Sequence, residues 1–498
     1  MLIPSQACDR AVIRASAKCG PVQHATFASI GLTLSSSLVF LDAATIPVGL
    51  PALCAHFNIA GRELQWILSA YYLPLAALSL VGGALGDRFG RRRSVLSGLV
   101  LLICASVGAS LADDFYLLLV FRFLQGVAAS LVLPNSLASL GSLFSGEREG
   151  QAVGLWSAVA AIASALGPLL GGWAIDQGLW RLIFAMAIPF CLIALLLTRL
   201  YVPSDAGSGP RKIDYLGGLL VTTGLAALIY AISESTERQS PAEWLFMLAA
   251  GLLAGFAWWE RRLGATAMIP IGLLRSATFA GLSIYTIFLY GALTLVTIFL
   301  PFVLMKTAHY SAFEAGAIFI PLQIMLVVFS PIAGRLTVRS GARLPLLLGA
   351  FLGFASFLAA LRIGADAEYW SQVLPAILLL AAAMTCVAAP LTTLVLISVD
   401  PKIAATASGI NSAITRLSGL IAGSALSPLL VGTLEQIAER FHSAIGAGAI
   451  CCAFAAFSAF LIPRGRAHPE ETASPKEQRR RAPAVPLSAP TRHSQFVT

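Results

Sequence analysis

Three ionisable side chains interrupt apolar runs that otherwise carry no charge: Asp42 in SSSLVFLDAATIPVGLP, Arg122 in LLLVFRFLQGVAAS and Arg416 in NSAITRLSGL. A charge within hydrocarbon is costly, and by default it marks a functional position with a partner to be named. A carboxylate beside a guanidinium suits proton-linked chemistry. Burial disfavours the ionised carboxylate, the neighbouring cation favours it, and a further cation arriving nearby favours it more. Asp42 and Arg122 meet the depth requirement for such a pair. With the first span ending near Gly49, Asp42 lies about 10 Å below that end at 1.5 Å per residue. With the fourth span starting near Tyr116, Arg122 lies about 9 Å below the same side. Arg416 reads as a core residue hydrogen-bonded to Asn411. Tyr71 and Tyr72, early in the second span, are candidates for a cavity wall whose aromatic faces would suit flat organic cations. Glu314 and Glu435 fall at span ends and read as reaching water, which leaves Asp42 as the one deep carboxylate and one proton per cycle as the expectation.

The elements that must position these groups are membrane spans. Of the 498 residues 57% are hydrophobic and 11% charged, against about 25% charged in a soluble globular chain. A bilayer core about 30 Å thick needs roughly 20 apolar residues of helix. Such stretches fall at 27–49, 66–86, 94–112, 116–138, 152–175, 180–200, 214–233, 243–262, 278–305, 312–335, 343–363, 369–396, 404–431 and 443–462, which predicts fourteen transmembrane helices. Of 33 Lys and Arg, 25 lie on one set of alternate segments and six on the other, with Arg122 and Arg416 inside spans. That asymmetry puts both termini in the cytoplasm. It also accounts for the net charge of +9 without a nucleic-acid partner, since the basic residues flank hydrophobic spans. The partners expected are the lipid bilayer, protons and small organic substrates, with any periplasmic adaptor unknown.

Other function classes lack their parts. There is no phosphate-binding G-x-x-x-x-G-K-[ST] loop, and none of the five lysines follows a glycine. The six histidines show no metal-ligand spacing, and the eight cysteines form no redox or metal motif. The expectation is therefore no enzyme activity, no metal and no cofactor, with a proton gradient as the energy source. The first apolar run, from Phe27, exceeds a signal-peptide core and lacks a cleavage site. The Pro-rich basic segment 463–498 reads as a disordered cytoplasmic tail.

After the second span comes GALGDRFGRRRSVL, residues 83–96. Gly83, Leu85, Asp87, Arg88, Gly90, Arg91, Arg92 and Leu96 match the loop signature G-x-L-x-D-R-x-G-R-[RK]-x-x-L, and the chain here resembles the major facilitator superfamily. Arg122, Gln125, Gly126, Ala128 and Ala129 resemble the family's R-x-x-Q-G-x-x-A-A pattern in span four. In span five, Gly154, Gly167, Pro168, Gly171 and Gly172 resemble its antiporter signature, with Ala163 in place of one glycine. LDAATIPVGLP (41–51) looks like the drug–proton antiporter signature at the end of span one, with Thr45 one place late, Pro47 at a usual asparagine site and Gly49 in place of alanine. Together with YSAFEAGAIFIP (310–321), PIAGRLTVRSGAR (331–343) and ASGINSAITRLSG (407–419), these stretches resemble the fourteen-helix drug–proton antiporter branch over residues 27–462.

The resemblance implies an all-α integral membrane protein of the major facilitator fold. A cytoplasmic tail (1–26) would precede an N-terminal six-helix bundle (27–200). An inserted helix pair with its linkers (201–277) would lead to a C-terminal six-helix bundle (278–462). Asp42 and Arg122 would couple protons, the loop from Gly83 to Arg92 would gate, and span five would be the antiporter helix, tightly packed but separate from the proton site. Tyr71, Tyr72, Gln125, Asn411 and Arg416 would line a central cavity. The function implied is proton-coupled export, by alternating access across the bacterial cytoplasmic membrane, of small neutral or monocationic drug-like molecules. The alternatives are a proton-linked exporter of one metabolite or antibiotic and a non-transporting sensor on the same fold.

Overall fold

The computed structural model describes residues 25–59, 62–144, 147–205, 214–234, 242–264, 276–340, 343–364, 367–397, 399, 404–426 and 434–462. The tails 1–24 and 463–498, which carry much of the charge asymmetry, lie outside them. The described residues are helical nearly throughout. The helices are α1 (Ala25–Phe57), α2 (Arg62–Phe89), α3 (Arg91–Ser110), α4 (Phe115–Leu143), α5 (Glu147–Asp176) and α6 (Leu182–Ala185 continued by Ile188–Tyr201). Next come α7 (Tyr215–Glu234), α8 (Ala242–Leu263), α9 (Ala277–Thr307) and α10 (Ala312–Ala317 continued by Ile320–Ser340). The last are α11 (Arg343–Ala360), α12 (Tyr369–Val373 continued by Leu374–Ile397), α13 (Ala404–Leu426) and α14 (Leu434–Ser458).

Twelve helices among the described residues are long and apolar enough to cross a membrane. The bent α2, whose parts Glu63–Ser79 and Val81–Phe89 meet at 53°, makes a thirteenth. The described part of α13, which carries Asn411, Ser412, Thr415, Arg416 and Ser418, is not among them, and the end of the predicted span, 427–431, lies outside the described residues. Several helices outrun the apolar stretches that predict them: α1 continues to Phe57 and α14 begins at Leu434. The backbone ladder needs no lipid to continue, so hydropathy marks the buried part of a helix rather than its ends.

Hydroxyls inside the spans bond back to carbonyls one turn earlier, as Ser35 does to Gly31 (2.7 Å), Thr45 to Leu41 (2.7 Å) and Thr286 to Leu282 (2.8 Å). Polar side chains are thereby satisfied within their own helix, as a medium without water requires. Where chain ends meet water, ordinary caps appear. Asp114 accepts from the N–H of Leu117 to start α4, and Ser311 with Glu314 forms a capping box on α10.

Two groups of helices result. In the first, α1 packs on α5, α6 and α4, while α4 also holds α2 and α3. In the second, α9 packs on α13 and α14, and α12 on α10 and α11. The helices α7 and α8 pack on each other, and α7 lies against α2 and α13. Leu192, Leu196 and Leu200, one helical stripe of α6, are exposed, as a lipid-facing surface would be. Contact between the groups is made by α2 with α13, α5 with α10 and α1 with α9.

Candidate functional site: a buried ion pair and the helix contacts around it

Asp42 sits midway along α1 and Arg122 in the first half of α4, and the two meet. Arg122 Nη1 donates to Asp42 Oδ2 at 2.9 Å, with the arginine fully buried and the aspartate 2% exposed. The depth estimate made from helix rise is therefore realised as a contact. A pair this enclosed stands only if its remaining polar atoms are also engaged. Gln125, one turn from Arg122, accepts from the same Nη1 at 2.9 Å and donates to Ser106 on α3 at 2.9 Å. Arg122 Nε donates to the carbonyl of Ile67 on α2 at 3.3 Å. Its guanidinium lies 4.4 Å from the ring centroid of Tyr71 and 6.0 Å from that of Phe184. Arg122 Nη2 has no hydrogen-bond partner among the described residues. Groups from α1, α2 and α6 thus meet the charge carried by α4, and α3 is tied to it through Gln125.

Two assignments made from sequence change here. Tyr71 and Gln125 are fully buried parts of the ion-pair setting rather than cavity surface. Tyr71 donates its hydroxyl to the carbonyl of Val39, which locks α2 to α1. Tyr72 is partly exposed and donates to the carbonyl of Ala43, beside Asp42, at 3.2 Å. The expected Arg416–Asn411 bond is replaced by two others. Asn411 accepts from Thr286 on α9 at 3.0 Å, and Arg416 reaches Ser79 on α2 at 3.4 Å. An arginine five positions after an asparagine points elsewhere on a helix, and the facing helix supplied a nearer acceptor. Arg416, partly exposed, has no carboxylate partner among the described residues.

The glycines of α5 divide by position. A Cβ at Gly167 would lie 2.8 Å from the carbonyl oxygen of Leu41 and 3.1 Å from the nitrogen of Thr45. One at Gly171 would lie 2.6 Å from the side chain of Thr45. Both glycines therefore admit α1 on either side of Asp42, so span five is not separate from the ion pair as expected. Gly172 faces the other group, where a Cβ would overlap the backbone of Ala312. Gly316 faces Pro168 of α5 in the same way. Gly154 has open space around it and serves no close approach here.

Asp176, which no sequence pattern singles out, closes this contact: its two carboxylate oxygens accept from the N–H groups of Ala312 and Phe313, each at 2.9 Å. A carboxylate at the end of α5 thus caps the first turn of α10, where the helix dipole favours it.

The loop between α2 and α3 is held within the first group. Asp87 accepts from Arg91 at 3.0 Å, Arg91 donates to the carbonyl of Ala138 at 3.2 Å, and Gly90 has φ 102°. Only glycine adopts that conformation without strain, and it leaves α3 with no side-chain cap of its own. Asp205, beyond α6 and also unanticipated, supplies the cap by accepting from the N–H of Arg91 (2.7 Å) and of Arg92 (3.2 Å). Asp205→Ala is expected to destabilise the protein by about 1 kcal/mol, as loss of a helix N-cap does. A thermal melt in detergent measures it, and an unchanged melt would show that water replaces the cap fully. Gly83 and Arg88 complete the loop, Gly83 near Pro134 of α4 and Arg88 over the ring of Phe89.

Comparison with known proteins settles what this arrangement belongs to. The profile of the Major Facilitator Superfamily matches residues 32–423, with a second match over 282–497. The chain belongs to the major facilitator superfamily. It is 33% identical over 430 residues to the multidrug resistance protein Stp of Mycobacterium tuberculosis, covering 84% of this chain and 78% of that protein. It is 31% identical over 440 residues to the puromycin resistance protein pur8 of Streptomyces alboniger, covering 85% and 86%. Such relatives place it in the drug–proton antiporter branch of the superfamily. Among solved structures it is similar to the peptide transporter POT in complex with sulfate, with a TM-score of 0.67 over 88% of this chain and 95% of that one. The 15% identity there speaks for the fold alone. This superfamily member is a membrane transporter and not an enzyme.

Proposed function

We propose that this transporter exports small organic molecules from a bacterial cell in exchange for protons. The observation that carries the reading is the buried Asp42–Arg122 pair, the one salt bridge among the described residues whose two partners are both excluded from solvent. A proton on Asp42 would remove the counter-charge of Arg122 and loosen the helices gathered on it. Proton binding would in this way be felt by α1, α2, α3 and α4 together. Tyr72 and Arg416 would border a central cavity, and Asn411 would brace it from behind. Neutral or monocationic molecules are the substrates expected of one titrating carboxylate.

The same reading takes 27–200 and 278–462 as two six-helix bundles and 201–277 as an inserted pair, for fourteen spans with both termini cytoplasmic. In that frame the contacts of Gly172, Gly316 and Asp176 lie at the outer end. Gly154 lies towards the inner end, so the state described would be closed outward and open inward. Asp87 would then help stabilise the alternative, inward-closed state. Asp87→Asn is expected to slow turnover with substrate affinity little changed. Collapse of affinity at a fixed inward–outward population would remove the gating role.

Export assays with a panel of compounds, in cells lacking their own pumps, test the proposal. Protection against several unrelated compounds supports it, and a folded protein that protects against none would overturn it. A second reading, an exporter of one antibiotic, is favoured by the similarity to a puromycin resistance protein. Protection confined to a single compound would select it.

Charge transfer provides a further prediction. One proton in for one monovalent cation out moves no net charge. A neutral substrate adds about 2.3 kcal/mol of driving force per 100 mV, and a dication loses the same amount. Arg416, a fixed cation without a carboxylate partner among the described residues, disfavours dications further. In liposomes with the pH gradient and diffusion potential set independently, dication export is expected to be poor. Robust dication export driven by potential alone would require a second proton site.

A further inference from the structure

A groove of about 450 Å³ runs between α3 and α6, lined by Leu96, Ser97, Val100, Leu101, Cys104, Leu195 and Arg199. The transport mechanism makes no use of it. Val95, Leu99, Leu102 and Ser106 of α3 are buried, whereas Val100 and Cys104 are exposed on the other side. The exposed leucines of α6 flank the groove, so its open side belongs to the lipid-facing surface.

Charge is concentrated at one end. Arg93 stands on the same helical stripe as Ser97, Val100 and Cys104, and Arg199 stands one turn after Leu195. Both arginines are exposed. Arg92 donates to the carbonyl of Arg199, which joins the two helices there, and its Nε has no hydrogen-bond partner among the described residues. The nearby carboxylates are engaged elsewhere, Asp87 with Arg91 and Asp205 on the N–H groups that open α3.

An apolar groove with the exposed guanidinium of Arg199 at its end, and that of Arg93 one turn beyond Ser97, is complementary to a lipid bearing a net negative headgroup. A soluble anion would have no use for the apolar length. A zwitterionic headgroup would bring a cation towards the two arginines. We infer that this groove is a binding site for an anionic phospholipid, with one acyl chain along Leu96, Val100, Leu101 and Leu195 and the phosphate between Arg93 and Arg199. Juxtamembrane arginines strengthen anionic-lipid binding by about fivefold each, or on the order of 25-fold for the two.

The test is native mass spectrometry of the purified full chain with phosphatidylglycerol and phosphatidylcholine of identical acyl chains. Wild type is expected to retain phosphatidylglycerol preferentially. The double variant Arg93→Gln/Arg199→Gln should lose most of that preference, and Arg93→Lys/Arg199→Lys should keep it. Cys104→Trp, which fills the groove and leaves the charges in place, should lower phosphatidylglycerol retention. That variant and the lysine pair decide the matter even if the glutamine pair fails to fold. An unchanged preference in the glutamine pair, no effect of Cys104→Trp, or displacement of the lipid by millimolar inorganic phosphate would overturn the inference.

Discussion

Replacing Asp42 by asparagine is expected to abolish pH-driven efflux in a protein that still folds, inserts and binds substrate. Asparagine is neutral like the protonated aspartate and keeps an oxygen where Asp42 Oδ2 now accepts from Arg122 at 2.9 Å, so the protein is expected to fold but to stay in the loosened, protonated-like arrangement. What it removes is the titration. Asp42→Leu should behave differently, because it strands the charge of Arg122 in a site with no solvent exposure. Breaking a buried pair in this way costs about 3–5 kcal/mol and should lower expression and melting temperature together. Arg122→Leu should be equally damaging, since Gln125, Ile67 and the ring of Tyr71 all lose their partner. Facilitated, gradient-independent exchange of substrate by Asp42→Asn would confirm that binding survives. Wild-type pH dependence in a well-expressed Asp42→Asn protein would exclude Asp42 as the coupling site.

The second large effect is expected at Gly172. Its neighbour across the interface is backbone, the carbonyl of Ala312 and the Cα of Phe313, and backbone in a helix cannot step aside as a side chain can. Gly172→Leu should therefore oppose the closed arrangement of α5 against α10 and pull Asp176 away from the N–H groups of Ala312 and Phe313. Overpacking of this kind costs about 1–3 kcal/mol, which corresponds to about a 5- to 150-fold shift of the closed–open equilibrium. Distances between spin labels on the ends of α5 and α10 would report it, and an unchanged distribution would contradict the close approach. Gly167→Leu should act elsewhere. It would push on Leu41 and Thr45, displace Asp42 from Arg122 and alter the pH dependence of transport, while leaving the α5–α10 distance close to wild type.

Much of this was legible in the chain because helix geometry is rigid. Rise per residue and the apolar limits of two spans were enough to put Asp42 and Arg122 at one depth, and hydropathy located nearly every helix. Depth is one coordinate only. Which way a side chain turns about the helix axis depends on neighbours far away in sequence, so the sequence alone does not separate the buried Tyr71 and Gln125 from a cavity wall, nor direct Arg416 to Ser79 on another helix. Motif spacing likewise identified the glycines of α5 without saying what each one faces. Gly167 and Gly171 admit α1, Gly172 admits α10, and Gly154 admits nothing in this state. Asp176 and Asp205 were missed for a related reason. Each caps a helix that begins more than a hundred residues away, and no local pattern marks a carboxylate that works at such a distance.

The contact between α5 and α10 is built from glycines against main chain, closed by one carboxylate on two N–H groups. Such a seam has almost no side-chain identity of its own. Of the residues proposed to border the transport route, Tyr72 bonds within its own group and could therefore be exchanged without rewriting this seam. Arg416, bonded to Ser79 of α2, could not be changed without touching the surface on which the two groups meet. A selection for altered cargo that acted on positions of the first kind would leave the machinery of opening and closing intact. The scaffold is by this measure evolvable in what it carries and brittle at a few glycines. A deep mutational scan scored on two unrelated compounds would separate those sets: positions whose ranking changes with the compound, and positions at which no substitution is accepted for either.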